Sequence, residues 1–169
     1  LSNRFQGILD TIIHESQTGF VRGRRIFESA LTIDSVLRVQ DKYGYMLSLD
    51  WSKAYDRVNF RWLSFALDKF GFPGPIIQTI EHLFYQRTAK LTVDNEEAKI
   101  NIKQGVPQGD PIAPLLFIIA LEPLMAAARD KIKGITNSNG TTHNVAYADD
   151  TTFFIHGYNQ VLELEKLLI

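Results

Sequence analysis

The run from Leu115 to Ala128 is apolar on nearly every side when drawn as a helix. A helix of this kind has to be covered on several faces, because a helix at a protein surface keeps one polar side for water. The most apolar part, from Ile112 to Leu121, is far shorter than the roughly 20 residues that span a bilayer. The sequence therefore predicts a buried core helix beneath a sheet, despite Pro123, and no membrane segment.

The composition is that of one folded domain. The chain has 169 residues, of which 45% are hydrophobic and 22% charged, which is enough to bury a core. The net charge is −1, so any binding of nucleic acid depends on local basic clusters. The absence of cysteine excludes disulfides and thiolate sites and favours an intracellular protein. No signal peptide precedes Leu1, and both ends are abrupt, which predicts a fragment.

Hydrophobic periodicity predicts helices that alternate with short strands. Helices are expected over residues 26–40, over 60–70 before a stop at Gly71, and from Pro75 to Phe84; strands are expected over 45–49, in a hairpin formed by 89–93 and 98–102, and over 144–147 and 151–155, with a turn at 137–140. Hairpins without sustained βαβ alternation predict an α+β fold, with helices packed on an antiparallel sheet.

Three carboxylates follow or join the predicted strands. Asp50 comes directly after the strand at 45–49, and Asp149 and Asp150 come after the strand at 144–147. If these strands were neighbours, the acids would supply oxygen ligands for a pair of magnesium ions that serve phosphoryl transfer. The same residues also fit ordinary turn chemistry at Asp149-Asp150 and a helix N-cap at Asp50.

The segment from Gln104 to Pro114 is rich in Gly, Pro and Gln. Gly105 and Gly109 allow a backbone or a flat ligand to approach closely. Gln108 could contact a base or sugar edge, and the N-terminus of the following helix favours anionic groups. A structural connector between a strand and a helix explains the same residues equally well.

A basic loop and one aromatic residue complete the candidates. Arg22 and Arg24, interleaved with glycines, suit phosphate because guanidinium binds it in a bidentate way. A solvated surface loop is the alternative. Tyr55 lies five residues after Asp50, where its ring could border the sugar of a nucleotide, and a buried core tyrosine is the alternative there.

Four motifs, taken in order, resemble the reverse transcriptases, and in particular those of non-LTR (LINE-type) retrotransposons. Residues 17–24 resemble the fingers motif QxGFxxGR, and residues 49–56 resemble the first palm motif. Residues 104–114 resemble QGxPQGxxxSP, with Ala113 in place of the motif serine, and residues 147–150 match the YxDD box.

The resemblance implies a right-hand polymerase fold, in which a palm with an antiparallel sheet packed on helices is joined to part of the fingers. Residues 1–44 and about 71–105 would form the fingers, residues 45–70 and 106–169 the palm, and the thumb would be absent. The implied activity is RNA-directed DNA polymerisation with an RNA template, a DNA primer and deoxynucleoside triphosphates. An inactive relic that only binds nucleic acid, or a maturase-type or telomerase-type enzyme, remains open.

The resemblance also implies roles for single residues. Asp50 and Asp149 would bind two catalytic Mg²⁺ ions, which Mn²⁺ could replace, with Asp150 beside them. Tyr55 would exclude the ribose 2′-hydroxyl. Gln108 and Gly109 would line the pocket for nucleotide and template, and Arg24 would contact the incoming triphosphate with Arg22 as a helper.

Overall fold

The structure is a computed structural model that describes residues 2–39, 41, 43–94 and 96–168. The helices are α1 (Ser2–Ile12), α2 (Ile26–Leu37), α3 (Phe60–Lys69), α4 (Gly74–Phe84), α5 (Ala113–Lys131) and α6 (Asn159–Leu168), with one 3₁₀ turn at Tyr55–Arg57. The strands are β1 (Gly44–Leu49), β2 (Thr88–Val93), β3 (Glu96–Asn101), β4 (Ile135–Asn137), β5 (Gly140–Thr142), β6 (Asn144–Tyr147) and β7 (Asp150–His156).

Helix α5 is the centre of the core, as its apolar pattern predicts. It packs against α1, α3 and α6, and its side chains from Leu115 to Leu121 are all buried. Each fully buried aliphatic side chain contributes about 1.5–3 kcal/mol relative to exposure. Pro123 is accommodated inside the helix. Within the described residues, no helix is both long enough and apolar enough to cross a membrane.

The main sheet has three antiparallel strands in the order β1-β7-β6. Because side chains alternate between the two faces of a strand, β7 contributes buried side chains to a layer on each face of the sheet. Phe153 and Ile155 join the α5 core, while Phe154 packs with Val36 of α2 and Val145 of β6 on the opposite face. Layers on both faces of β7 hold this strand, and with it the start of the strand at Asp150, in a fixed position.

The predicted α+β architecture is confirmed, as are the main helices and the strands of the central sheet and the β2–β3 hairpin. The helix predicted over 26–40 ends at Leu37, and residue 40 lies outside the described residues. Sequence reasoning did not assign α1, α6 or the short β4–β5 pair around the turn at 137–140. In α1, Gly7 and many polar residues leave only Phe5 and Leu9 as buried positions, so its apolar pattern is too short to recognise.

The N-cap of α3 gives a prediction for stability. The Asn59 side chain accepts a hydrogen bond from the backbone N–H of Trp62 at 3.1 Å. Replacing an N-cap asparagine with alanine removes this acceptor, so Asn59→Ala is expected to cost about 1 kcal/mol. For a chain of this size, thermal denaturation should show a fall in Tm of about 2–4 °C. Asn59→Asp keeps the acceptor and serves as the control, and an equal loss in both variants would contradict the capping role.

Candidate active site

The sheet register brings the three predicted carboxylates to one end of the sheet. Leu49, the last residue of β1, pairs with Thr151, so Asp50 follows directly beside the start of β7. Asp150 is the first residue of β7 and pairs with Tyr147, which leaves Asp149 at the tip of the β6–β7 hairpin. The predicted neighbours, the strands at 45–49 and 144–147, are separated by β7, so that prediction is wrong in its detail. Because β7 pairs with both strands, the three acids still lie at one end of the sheet.

The hairpin tip is a two-residue turn with an unusual backbone. Ala148 has φ 58°, a left-handed conformation that residues with a Cβ atom seldom adopt. Glycine is the usual residue at the first central position of such turns. The Thr151 hydroxyl donates to the Asp149 carbonyl at 3.3 Å, and the Trp51 indole N–H donates to the Thr151 hydroxyl at 3.2 Å. Trp51 thus ties the hairpin to the segment that carries Asp50.

Tyr55 lies beside this acidic end. Burial raises its pKa above the ordinary value, and the negative charge of Asp149 raises the pKa further. The phenol therefore remains protonated and neutral at physiological pH. Its ring stacks on Phe117 of α5, with 4.8 Å between ring centroids. Tyr55 is half-buried: its ring packs on the core helix and lies near Asp149. That this ring borders the sugar of a nucleotide stays a prediction.

The loop before α5 docks against the 3₁₀ turn that carries Tyr55. The backbone N–H of Gly105 donates to the Val58 carbonyl at 2.8 Å, and that of Val106 donates to the Tyr55 carbonyl at 2.9 Å. Gly105 has φ 89°, and a Cβ atom there would lie 2.7 Å from the Asp56 carbonyl oxygen. Only glycine fits this close approach.

The tip of the same loop remains open. Gln108 and Gly109 are exposed, and nothing lies within 4 Å of the Cβ position of Gly109. Arg87 ties the loop to the end of α4, since its guanidinium donates to the Gly105 carbonyl at 2.6 Å and to the Phe84 carbonyl at 2.9 Å. Sequence reasoning did not single out Arg87, which comes just before the first strand of the β2–β3 hairpin.

The two predicted arginines differ in their surroundings. Arg24 donates to the carbonyls of Ile13 at 2.9 Å and His14 at 2.6 Å, and it forms an ion pair with Asp10 at 3.3 Å. Arg24 therefore anchors the C-terminal end of α1, and these contacts disfavour the predicted contact with a triphosphate. The Arg22 side chain is exposed.

The donor chemistry of the acidic end suits a hard divalent cation. Asp50 and Asp150 are exposed and Asp149 is half-buried, and none of the three carboxylates forms an ion pair with another described residue. Asp50 is the N-cap of neither the 3₁₀ turn, which is capped by Ala54, nor α3, which is capped by Asn59. No group of three acidic, histidine or cysteine side chains in the described part of the chain is close enough to hold a metal unaided. Magnesium commonly takes only one or two carboxylates and completes its shell with substrate phosphates and water.

A comparison with protein families decides the identity. The family described as "Reverse transcriptase (RNA-dependent DNA polymerase)" matches residues 1–168. The chain belongs to the reverse transcriptase family. The resemblance predicted from four short motifs is confirmed over nearly the whole sequence. Reverse transcriptases in general depend on divalent metal ions, which agrees with the carboxylates at the end of this sheet.

Curated relatives come from retrotransposable elements. The reverse transcriptase chain is 28% identical over 156 residues to the "Transposon TX1 uncharacterized 149 kDa protein" of Xenopus laevis, covering 89% of this chain and 12% of that protein. It is 27% identical over 164 residues to the "Retrovirus-related Pol polyprotein from type-2 retrotransposable element R2DM" of Drosophila melanogaster, covering 91% and 15%. It is 29% identical to the Pol polyprotein from "type-1 retrotransposable element R2" of Popillia japonica, covering 89% and 22%.

These relatives confirm the predicted likeness to the non-LTR group. The chain spans between 12 and 22% of their lengths. A solved structure of apo telomerase from Candida tropicalis, truncated from its C-terminal domain, shares the fold with a TM-score of 0.69 at 14% identity, covering 99% of this chain and 35% of that one. This likeness confirms the predicted right-hand polymerase fold.

Proposed function

We propose that this reverse transcriptase chain is the fingers and palm part of an RNA-directed DNA polymerase that acts in retrotransposition. The reaction is attack of a primer 3′-hydroxyl on the α-phosphate of a bound deoxynucleoside triphosphate, with pyrophosphate leaving. The observation that carries the proposal is the meeting of Asp50, Asp149 and Asp150 at one end of a single sheet in a member of this family.

The carboxylates hold the metal ions. Asp50 and Asp149 bind two Mg²⁺ ions, for which Mn²⁺ can substitute, and Asp150 supports them from the first position of β7. A pair of bound magnesium ions stabilises both the attacking and the leaving oxygen of an in-line displacement. The accessibility of the exposed Asp50 and Asp150 and the half-buried Asp149 supports the role, because substrate phosphates need access to complete the coordination.

Other residues bind the nucleotide and template. The Tyr55 ring, fixed on Phe117, blocks the space that a ribose 2′-hydroxyl would need. Gln108 and Gly109, at the open tip of the loop that docks beside Tyr55, line the nucleotide and template pocket. For the triphosphate, the exposed Arg22 is proposed as the contacting cation, since the Arg24 guanidinium is engaged by carbonyl groups at the end of α1.

The proposed boundaries put residues 1–44 and about 71–105 in the fingers and the rest in the palm. Ala113, where the family motif has serine, is fully buried at the first position of α5. An apolar side chain needs no hydrogen-bond partner there, whereas a buried hydroxyl would need one. The substitution is thus compatible with an intact palm.

Tyr55→Val is expected to relax sugar discrimination. The smaller side chain leaves room for a 2′-hydroxyl, so the ratio of kcat/KM for a deoxynucleotide to that for the matching ribonucleotide should fall about 10- to 100-fold. Single-nucleotide addition to a primer on an RNA template measures both values. Tyr55→Phe keeps the ring and should keep the ratio.

Tyr85→Val is a matched control for the loss of a stacked tyrosine. Tyr85 is also half-buried and stacks on an aromatic ring, that of Phe60, with 4.2 Å between centroids. Its substitution should leave the ratio unchanged. If Tyr55→Val and the unsubstituted protein had the same ratio of kcat/KM values, Tyr55 would have no role in sugar selection.

The proposed function is tested by primer extension with the full-length protein. Templated addition of deoxynucleotides on an RNA template in Mg²⁺ is the expected result. Tight binding of primer and template without addition would favour the second candidate, a relic that only binds nucleic acid. A third candidate with the same chemistry is a telomerase-type enzyme, with which the shared fold is consistent but which the retroelement relatives fit less well. Copying of a long RNA to its end would support the retroelement, and repeated copying of one short segment would support the telomerase type.

A further inference from the structure

The turn that carries Asp149 is held by a residue far away in the sequence. Gln17 is 3% exposed and lies 131 residues before Ala148. Its side-chain N–H donates to the Ala148 carbonyl at 3.0 Å, and its side-chain oxygen accepts from the Ala148 N–H at 2.9 Å. The same oxygen accepts from the Gly19 N–H at 2.9 Å. One buried amide thus binds both backbone polar groups of a single turn residue.

These two hydrogen bonds act on the strained position of the turn. The N–H and carbonyl of Ala148 lie on either side of its two rotatable backbone bonds, so holding both groups fixes its conformation. Ala148 has φ 58°, which a residue with a Cβ atom keeps only when its surroundings impose it. Asp149 is the next residue, so the direction of its carboxylate follows from the conformation of Ala148.

The backbone around Gln17 is locked onto the same hairpin. The Thr18 N–H donates to the Ala146 carbonyl at 2.8 Å, and the Ala146 N–H donates to the Ser16 carbonyl at 2.7 Å. A Cβ atom at Gly19 would lie 2.3 Å from the Ala148 nitrogen. Strand β6 is at the edge of its sheet, so this segment covers an edge that would otherwise be open.

We propose that Gln17 is a positioning residue for nucleotidyl transfer, which sets the Asp149 carboxylate for metal binding by fixing the turn at Ala148. The proposal rests on the proposed function. An amide is the side chain that the geometry requires, because it supplies one donor and one acceptor without charge. A carboxylate would lose the donor and add a negative charge near the acids, and methionine of similar shape would lose both hydrogen bonds.

The test compares Gln17→Met with Gln160→Met in the full-length protein. Gln160 is a matched control because it is also buried, and its side-chain oxygen accepts from the His156 N–H at 2.9 Å at the far end of β7. Gln17→Met should lower kcat for single-nucleotide addition by about 10- to 100-fold, as loss of a residue that orients a metal ligand does, and raise the half-saturating Mg²⁺ concentration. At saturating Mg²⁺, the KM for the nucleotide should change less than about 3-fold, because the buried Gln17 side chain acts on the turn and not on the nucleotide.

Hydrogen exchange gives a readout that does not depend on activity. The Ala148 amide should exchange at least about 10-fold faster in Gln17→Met than in the unsubstituted protein, because its acceptor is gone. Gln160→Met should leave this amide protected and the Mg²⁺ dependence unchanged. Circular dichroism checks that both variants fold. If Gln17→Met does not fold, Gln17→Glu replaces it, with the same direction expected for kcat and for Mg²⁺.

The outcomes separate the two proposals. If Gln17→Met folds and matches Gln160→Met in exchange at Ala148 and in Mg²⁺ dependence, Gln17 is only a structural residue and the positioning proposal is wrong. If the unsubstituted protein adds no nucleotide, the proposed function fails. Exchange at Ala148 and the affinity for Mn²⁺ measured by electron paramagnetic resonance then still decide whether Gln17 positions the turn.

Discussion

Asp149→Asn is expected to lower the rate of templated nucleotide addition by at least about 10²-fold, because loss of this proposed metal ligand would remove several kcal/mol of transition-state stabilisation. The amide has nearly the same shape as the carboxylate, so packing at the hairpin tip is preserved while the negative charge is lost. Asp149 is half-buried and forms no ion pair with another described residue, so no salt bridge is broken. Single-turnover addition on an RNA template measures the rate.

Asp130→Asn is the matched control for this substitution. Asp130 is an exposed acid near the C-terminal end of α5, outside the acidic end of the sheet. Its substitution should leave the rate unchanged, and both variants should keep the Tm of the unsubstituted protein within about 2 °C, as surface substitutions do. A rate for Asp149→Asn close to that of Asp130→Asn would contradict a metal role for Asp149.

Gly105→Ala is expected to have the largest effect on stability. The new Cβ atom would have to lie 2.7 Å from the Asp56 carbonyl oxygen and 2.8 Å from the Asp56 Cα atom, and φ is 89°. Backbone atoms cannot move aside as a flexible side chain can. Strain and displacement together should cost about 3–4 kcal/mol, near the upper end for a single substitution. For a chain of this size, the Tm should fall by about 6–16 °C.

Gly71→Ala isolates the conformational part of that cost. Gly71 also has a positive φ of 80°, but nothing lies within 4 Å of its Cβ position. It should therefore lose only about 1–2 kcal/mol, the cost of a left-handed conformation. Thermal denaturation of the two variants gives the difference. If both variants lost the same free energy of unfolding, the close approach of the loop to Asp56 would not contribute to stability. This contact would then not fix the loop beside Tyr55.

Local patterns explain how much of the fold the sequence predicts. The continuous apolar character of α5 predicts a helix that is covered on several faces, and the structure places this helix in the core. The alternating residues of β2 and β3 predict their hairpin for the same reason. The acids were predicted to converge if the strands at 45–49 and 144–147 were neighbours. In the structure β7 lies between these strands and pairs with both, which the sequence pattern did not predict.

Contacts between distant residues explain what sequence reasoning missed. The amide of Gln17 and the backbone of Ala148 are 131 residues apart, and no periodicity relates them. A lone glutamine in a fingers motif gives no sign that it is buried. The contacts of Arg24 were missed for a similar reason. Its guanidinium binds backbone carbonyls at the end of α1, and the apolar pattern did not predict this helix. The hydrogen bond from Trp51 to Thr151 was missed as well, because only the position of Trp51 after Asp50 can be recognised in the sequence.

The proposed function requires that Asp50 and Asp149 together bind the catalytic metal ions. Anomalous diffraction from Mn²⁺ can locate these ions in crystals of the full-length protein with primer, RNA template and a non-reactive deoxynucleotide analogue. We expect anomalous peaks in coordination contact with both carboxylates and with the triphosphate of the analogue. Peaks held by other side chains, with both aspartates uncoordinated, would contradict it.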